Sequence, residues 1–226
     1  MDIHTSALSH CGLFAGTTDE ERKKLLGCLA ARVKQFEKDA PVFLENEAIS
    51  AVGIVLSGAV HVVRDDFWGN RTIISRMGTG ELFAESFSFA GTPHIPVGVV
   101  ATEKTEALFI DCRKIMGFCT QACSFHKQII GNIFRELAEK NIRLMEKIDH
   151  ITRRGTREKL LSYLSGEARQ AGRGEFAIPF TRKELAEYLA VDRSAMSAEL
   201  GRMRDEGLLV FRKNRFTLFD KTPLLR

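Results

Sequence analysis

The spacing of hydrophobic residues changes period along the chain, and each change marks a new kind of element. Near the start, Thr18 followed three residues later by Glu21 forms a capping box, and Leu25, Leu26 and Leu29 supply one apolar helix face. After Lys34 the period drops to two. Runs of β-branched and aromatic residues at Val42 to Leu44, Ile54 to Leu56, Val60 to Val63, Thr72 to Ser75, Val97 to Ala101 and Ala107 to Ile110 alternate with turn residues such as Ser57-Gly58, Gly69-Asn70, Gly78, Gly80 and Gly91-Thr92-Pro93. Many short strands at this spacing predict a β-sandwich or barrel, in which closure removes exposed strand edges.

From Ser124 to Ile151 the pattern predicts one long helix without proline. Ile130, Leu137, Leu144 and Ile151 recur there every seven residues, and Ile133, Phe134 and Ile148 widen the stripe. A seven-residue apolar repeat on so long a helix is expected to pack against its copy from a second subunit, giving a homodimer; the same stripe lying on the barrel is the alternative. Lys140 and Lys147 fall on the other expected seam positions, which departs from a strict coiled coil. Beyond Thr152 the chain turns basic and short-segmented, with a helix from Thr156 to Ala171, a Gly172/Gly174 loop and a brief strand from Phe176 to Phe180. Strand runs followed by helix runs make the fold class α+β.

The strongest local signal is TRKELAEYLAVDRSAMSAELGRMRDEGLL, residues 181–209. Thr181 and Glu184 form a second capping box; Leu185, Leu189, Val191, Met196, Leu200 and Met203 make the inward face of two helices, and Ala186 and Ala190 are small where those helices approach. This describes a helix-turn-helix whose second helix starts at the cap Asp192 and points Arg193, Ser194, Ser197 and Ala198 into a major groove. Next, LLVF-RKNR-FTLF reads as two short strands around Lys213-Asn214, a wing whose basic tip touches phosphates.

Charge sharpens this picture. Residues 1–151 carry 17 Lys/Arg against 19 Asp/Glu, whereas residues 152–226 carry 16 against 10, so the formal +4 sits in the last third. That balance points to an anionic partner for the tail, double-stranded DNA first, and to a separate task for the front. With 226 residues and 44% hydrophobic side chains, the chain has the apolar surface for two small domains, which excludes a disordered chain or a disulfide-stapled miniprotein. The five cysteines, Cys11, Cys28, Cys112, Cys119 and Cys123, are odd in number and lack a close-spaced framework, as in a reducing compartment. The opening MDIHTSALSHCGLF lacks the features of a signal peptide, and no stretch approaches the roughly 20 apolar residues of a membrane span. A cytoplasmic protein with no membrane partner is expected.

Together these segments resemble the Crp/Fnr family of bacterial transcription regulators over nearly the whole chain, with the glycine-punctuated stretches LSGAVHVV and GTGELFAES in the strand-rich part. The resemblance implies a jelly-roll (double-stranded β-helix) sensor at residues 1–123, a dimerisation helix at 124–151 and a winged helix-turn-helix at 152–226. It also implies a homodimer on a palindromic promoter site, with RNA polymerase as a further partner and a small-molecule effector in the jelly roll that sets the two reading heads. Thr181 and Arg182 are then expected on the DNA backbone and Arg193, Ser194, Ser197 and Ala198 at base edges. Asp192, Arg202, Lys213 and Arg215 complete the DNA-binding set. Many members carry Glu where this chain has Ser194 and Arg where it has Ala198, so the half-site is expected to differ, with Arg193 as the remaining direct reader. Glu199 stands where an apolar residue is usual, which predicts a slightly rotated second helix.

The nucleotide-binding members of the family hold the ribose with a Glu and the phosphate with an Arg-Ser pair ten residues later. Aligned without a gap, GELFAESFSFAGTPHIPVGVV keeps the acid as Glu85 but puts Ile95-Pro96 at the pair, and Ala84 where a glycine donates its backbone. Isoleucine has no side-chain donor and proline lacks even the backbone N–H, so a buried phosphate would go unneutralised at a cost on the order of several kcal/mol. A cyclic nucleotide is not expected. The expected effector segment is Gly80, Glu81, Leu82, Phe83, Ala84, Glu85 and Ser86 with Ile95, Pro96 and Val97. Its apolar content suits a small aromatic or aliphatic molecule or weak acid, unless these side chains merely fill the barrel.

Iron–sulfur and haem sensors of the family suggest two further readings: a cluster or redox role for Cys112, Cys119 and Cys123, and haem ligation by His61. Small buried cysteines and a strand histidine are the default, with no cofactor expected. A cupin-like metalloenzyme is the rival on the same architecture, but the histidines at 4, 10, 61, 94, 126 and 150 are scattered and include no His-x-His, so no enzymatic activity is expected.

Overall fold

The computed structural model describes residues 5–117 and 124–219. It divides into two compact units, Met1–Asn141 and Ile142–Arg226.

The first unit opens with α1 (Thr5–Ser9), a 3-10 turn (Gly12–Phe14) and α2 (Asp19–Cys28). Thr18 caps α2 as its sequence predicts: its hydroxyl accepts from the Glu21 N–H, and the Glu21 carboxylate accepts from the Thr18 N–H at 2.7 Å. Eight strands follow: β1 (Arg32–Phe36), β2 (Pro41–Phe43), β3 (Ala51–Ser57), β4 (Val60–Asp65), β5 (Arg71–Met77), β6 (Leu82–Phe83), β7 (Gly98–Ala101) and β8 (Thr105–Asp111). They form two four-stranded antiparallel sheets, ordered β1-β8-β3-β6 and β2-β7-β4-β5, a β-sandwich of jelly-roll type. Strands β1 and β6 are absent from the sequence reading, because charged residues interrupt the first and the second has two residues.

The run AVGIVLS in β3 is apolar on both sides because both faces of its sheet are covered. Val52, Ile54 and Leu56, with Leu82, Leu108 and Ile110, join a core closed by α1, α2 and Ile129 and Ile133 of the long helix. Val55, Phe83 and Ala107 face the sandwich interior with Val60, Val62, Ile95, Val97 and Val99. Here Gly53 is required, since a Cβ at that position would fall inside the Phe83 ring. Phe83 also packs edge-on against Phe43 and Phe109. Between β6 and β7 lies α3 (Glu85–Ala90), and after β8 comes α4 (Cys112–Met116).

The long helix α5 (Ser124–Thr152) begins in the first unit and ends in the second. The second unit continues with α6 (Thr156–Ala171), β9 (Glu175–Ala177), α7 (Arg182–Leu189), α8 (Arg193–Asp205), β10 (Leu209–Arg212) and β11 (Arg215–Leu218). Strand β9 stops before Pro179, short of the expected Phe180, and its sheet is ordered β10-β11-β9. Leu160, Leu164, Leu185, Leu189, Met196, Leu200, Met203, Leu209 and Phe216 are all buried in this unit.

Candidate DNA interface and sensor cassette

Helices α7 and α8 are set by their ends. Thr181 and Glu184 form the expected reciprocal cap of α7, with the Glu184 carboxylate accepting from the Thr181 N–H at 2.6 Å. The turn between the helices uses Ala190 at φ +51. Ala190 is exposed there, so it does not serve the close helix approach expected of it. Lys159 of α6 donates to the carbonyls of Leu189 and Ala190 at 3.3 Å each, satisfying acceptors at the helix end. Asp192 then caps α8 by accepting from the Ala195 N–H at 2.7 Å.

That cap starts α8 with Arg193, Ser194, Ser197 and Ala198 exposed together on one face, while Met196, Leu200 and Met203 turn inward. The Ser197 hydroxyl donates to the Arg193 carbonyl at 2.8 Å. Beside α8, β10 and β11 pair antiparallel from Leu209↔Leu218 to Arg212↔Arg215, leaving Lys213 and Asn214 as a two-residue turn with Lys213 at φ +54. Lys213 and Arg215 are exposed, and the Asn214 amide donates to the carbonyl of Ile178, the residue after β9, at 3.0 Å.

Two predicted DNA contacts are engaged by their own chain. The Arg182 guanidinium stacks 4.6 Å from the Phe211 ring and 4.7 Å from the Phe216 ring; its terminal nitrogens are buried without hydrogen-bond partners among the described residues, and desolvation lowers its pKa. Arg202 is paired with Glu199, donating from Nε at 2.9 Å. Glu199 itself is buried and also meets Arg157 of α6 at 3.3 Å, with Arg157 bridging on to Glu206. The acid at this inward position is thus neutralised by two arginines, while Met196, Leu200 and Met203 stay buried beside it. Sequence spacing could not single out Arg157 or Lys159, because their partners lie on other helices.

In the first unit, Ala84 adopts φ +64, so the turn before α3 keeps a glycine-like backbone without glycine. The turn buries Glu85, whose Oε1 lies 2.7 Å from Lys140 Nζ of α5; Lys140 also donates to the Leu82 carbonyl at 2.6 Å. Ser86 Oγ lies 3.1 Å from the same carboxylate oxygen. Phe83, Ile95 and Val97 point into the packed sandwich interior, Leu82 into the opposite core, and Pro96 accepts from Arg64 at 3.3 Å. Gly80 takes φ +86, and Glu81 accepts from the Gly78 N–H at 2.7 Å.

Along α5, Ile130, Phe134, Leu144 and Ile148 are exposed, whereas Ile133 is buried in the core of the first unit and Leu137 packs partly against it. Ile151 is half-buried. Lys140 and Lys147, expected on a seam, are instead buried against their own chain; Lys147 Nζ lies 4.5 Å above the Tyr188 ring. Cys112 is buried with its thiol 3.6 Å from the Ser88 carbonyl, and burial raises its pKa. Cys119 and Cys123 lie outside the described residues. Among the described residues no group of three or more His, Cys, Asp or Glu is placed to hold a metal ion, and no helix is long and apolar enough to cross a membrane.

Family comparisons agree with this geometry. A cyclic nucleotide-binding domain model matches residues 33–122, and a Crp-like helix-turn-helix domain model matches residues 158–226. Similar solved structures include FixK2 from Bradyrhizobium japonicum (20% identity, 84% of this chain and 93% of that one, TM-score 0.66). The c-di-GMP responsive global regulator CLP from Xanthomonas campestris aligns with 16% identity, 88% of this chain, 100% of that one and a TM-score of 0.72. A mutant of CooA from Carboxydothermus hydrogenoformans aligns with 20% identity, 86% of each chain and a TM-score of 0.70. Among curated proteins no match is found. With a cyclic nucleotide-binding-type sandwich followed by a Crp-like helix-turn-helix in one polypeptide, the chain belongs to the Crp/Fnr family of transcription regulators.

Proposed function

We propose that the chain works as a homodimer reading a palindromic site on double-stranded DNA, under the control of a signal other than a cyclic nucleotide. The DNA reading rests on one observation above all: Asp192 caps α8 so that Arg193, Ser194, Ser197 and Ala198 share one exposed face. Of these four only Arg193 can make a bidentate pair with guanine, while Ala198 suits a thymine methyl. Lys213 and Arg215 supply phosphate contacts from the wing, and Thr181 supplies one at the start of α7. Arg182 contributes by holding the wing.

Dimerisation is supported by the exposed apolar residues Ile130, Phe134, Leu144 and Ile148 of α5, with Leu137 and Ile151 partly exposed beside them. Ile130, Leu137, Leu144 and Ile151 alternate with Phe134, Asn141 and Ile148 at spacings of four and three, the period of a helix seam. Two heads related by a twofold axis read half-sites about 34 Å apart. RNA polymerase is the expected further partner at a promoter.

The absence of donors at Ile95 and Pro96 argues against a cyclic nucleotide phosphate, and Glu85 already faces a lysine. A small apolar molecule or weak acid acting on the cassette from Gly80 to Ser86 fits its composition better.

Binding-site selection on random duplexes, followed by Arg193→Ala, tests the DNA reading. The variant is expected to lose about 1–3 kcal/mol on the selected site and much less on random DNA. Equal losses on both would reduce Arg193 to a phosphate contact, and no preferred site at all would reject the function.

A further inference from the structure

A lysine of the helix that leaves the sensor stands opposite the acid of the cassette. Lys140 and Glu85 are both buried, with side chains 10% and 4% exposed, and the ammonium bridges Glu85 Oε1 at 2.7 Å and the Leu82 carbonyl at 2.6 Å. One cation therefore joins the first residue of β6 to the first residue of α3 and ties both to α5. The other carboxylate oxygen, Glu85 Oε2, is buried with no hydrogen-bond partner among the described residues. A buried pair left partly unsatisfied sits close to balance between desolvation and Coulomb attraction, so it can be held or released by small changes around it. Seven residues further along the same helix face, Lys147 lies over the Tyr188 ring of α7 within the second unit. One face of α5 thus carries a lysine engaged with the cassette and another engaged with the reading head.

We propose that the Glu85–Lys140 pair is a built-in latch, an internal cation that orders the cassette against α5 without any bound nucleotide and so keeps the protein competent to bind DNA. Lys140 precedes Asn141, which stands in the middle of the proposed dimer seam, so holding Lys140 also holds the rotation of that seam. The inference rests on the dimeric DNA-binding reading for its consequence, and on the sensor unit alone for the latch.

Glu85→Gln is the test, because it keeps the shape and one oxygen while removing the charge. Hydrogen exchange on the full-length protein, without added ligand, is expected to rise at least tenfold at amides of residues 82–90 and 129–141. Unchanged exchange there would overturn the latch. Affinity for the selected operator is expected to fall at least tenfold in both Glu85→Gln and Lys140→Met. Raised exchange with operator binding kept within twofold would overturn the coupling to DNA. Should Lys140→Met fold poorly, the Glu85→Gln measurements decide alone. A wild-type chain lacking any preferred DNA site would instead reject the regulator reading, while the exchange measurement still decides the latch.

Discussion

Arg157 of α6 reaches the buried carboxylate of Glu199 in the reading helix at 3.3 Å while gripping Glu206 near the end of the same helix. Glu206 raises the guanidinium pKa, and its own is lowered by the hydrogen bond from Arg157. The clamp holds α8 on α6 at two points, away from the exposed face that carries Arg193 and Ser197. It also explains why a charged residue is tolerated at an inward position.

Glu199→Leu should therefore change stability by less than about 1.5 kcal/mol, because Arg157 keeps Glu206 and an apolar side chain fills the site. Arg202, freed from its carboxylate, becomes available to a phosphate. Titrations with duplex DNA at graded salt should show the log–log slope steepen by about 0.9. A slope identical to wild type would mean that Arg202 stays away from DNA.

Arg182 stacks on Phe211 and Phe216, so it acts as a post under the wing. Replacing it with alanine should destabilise the second unit by about 1–2 kcal/mol in thermal or urea unfolding. Lysine should restore only part of this, since an ammonium cannot stack as a planar guanidinium does. Full stability in Arg182→Ala would assign the side chain to DNA alone.

Asn141 falls midway between Phe134 and Ile148 on the exposed face of α5. A polar residue inside an apolar seam lowers stability but selects register and subunit number. Asn141→Leu is expected to give a dimer that dissociates at lower concentration, accompanied by higher oligomers in analytical ultracentrifugation. A single dimeric species of wild-type affinity would remove Asn141 from the seam.

Lys147 is buried over Tyr188, and desolvation lowers its pKa from 10.5 to about 8. The unfolded chain then holds more protons than the folded one between these values, so the penalty is fully present below pH 8 and fades as pH rises toward 10.5. Glu146 and Glu167 act electrostatically on the same Tyr188 ring. Lys147→Met should be more stable than wild type at pH 7 by about 1–2 kcal/mol, the cation–π contact offsetting part of the gain. Denaturation curves at pH 7 and 9.5 should show that gap narrowing; a constant gap would refute the assignment.

Much of the architecture is legible in the sequence. Capping boxes at Thr18 and Thr181, the cap at Asp192 and the Lys213-Asn214 turn are local chemistry, settled within four residues, and each appears where its residues predict. Alternating apolar runs likewise mark most strands, because the period of two is a property of the strand itself. The phase of the long helix was less accessible. Positions 130, 137, 144 and 151 are compatible with a second seam row at either 133, 140 and 147 or 134, 141 and 148, and hydrophobicity alone favours neither.

By itself, then, the sequence determined two modules, their order and the exposed face of α8 that carries Arg193, Ser194, Ser197 and Ala198, all of which follow from short-range pattern and residue type. Tertiary structure alone decided which charges are buried and with whom: Lys140 with Glu85, Arg157 with Glu199, Arg182 with two phenylalanines. Those pairings join residues 42 to 55 positions apart in the ion pairs and 29 to 34 apart in the stacking, and depend on distances that only the packed elements set.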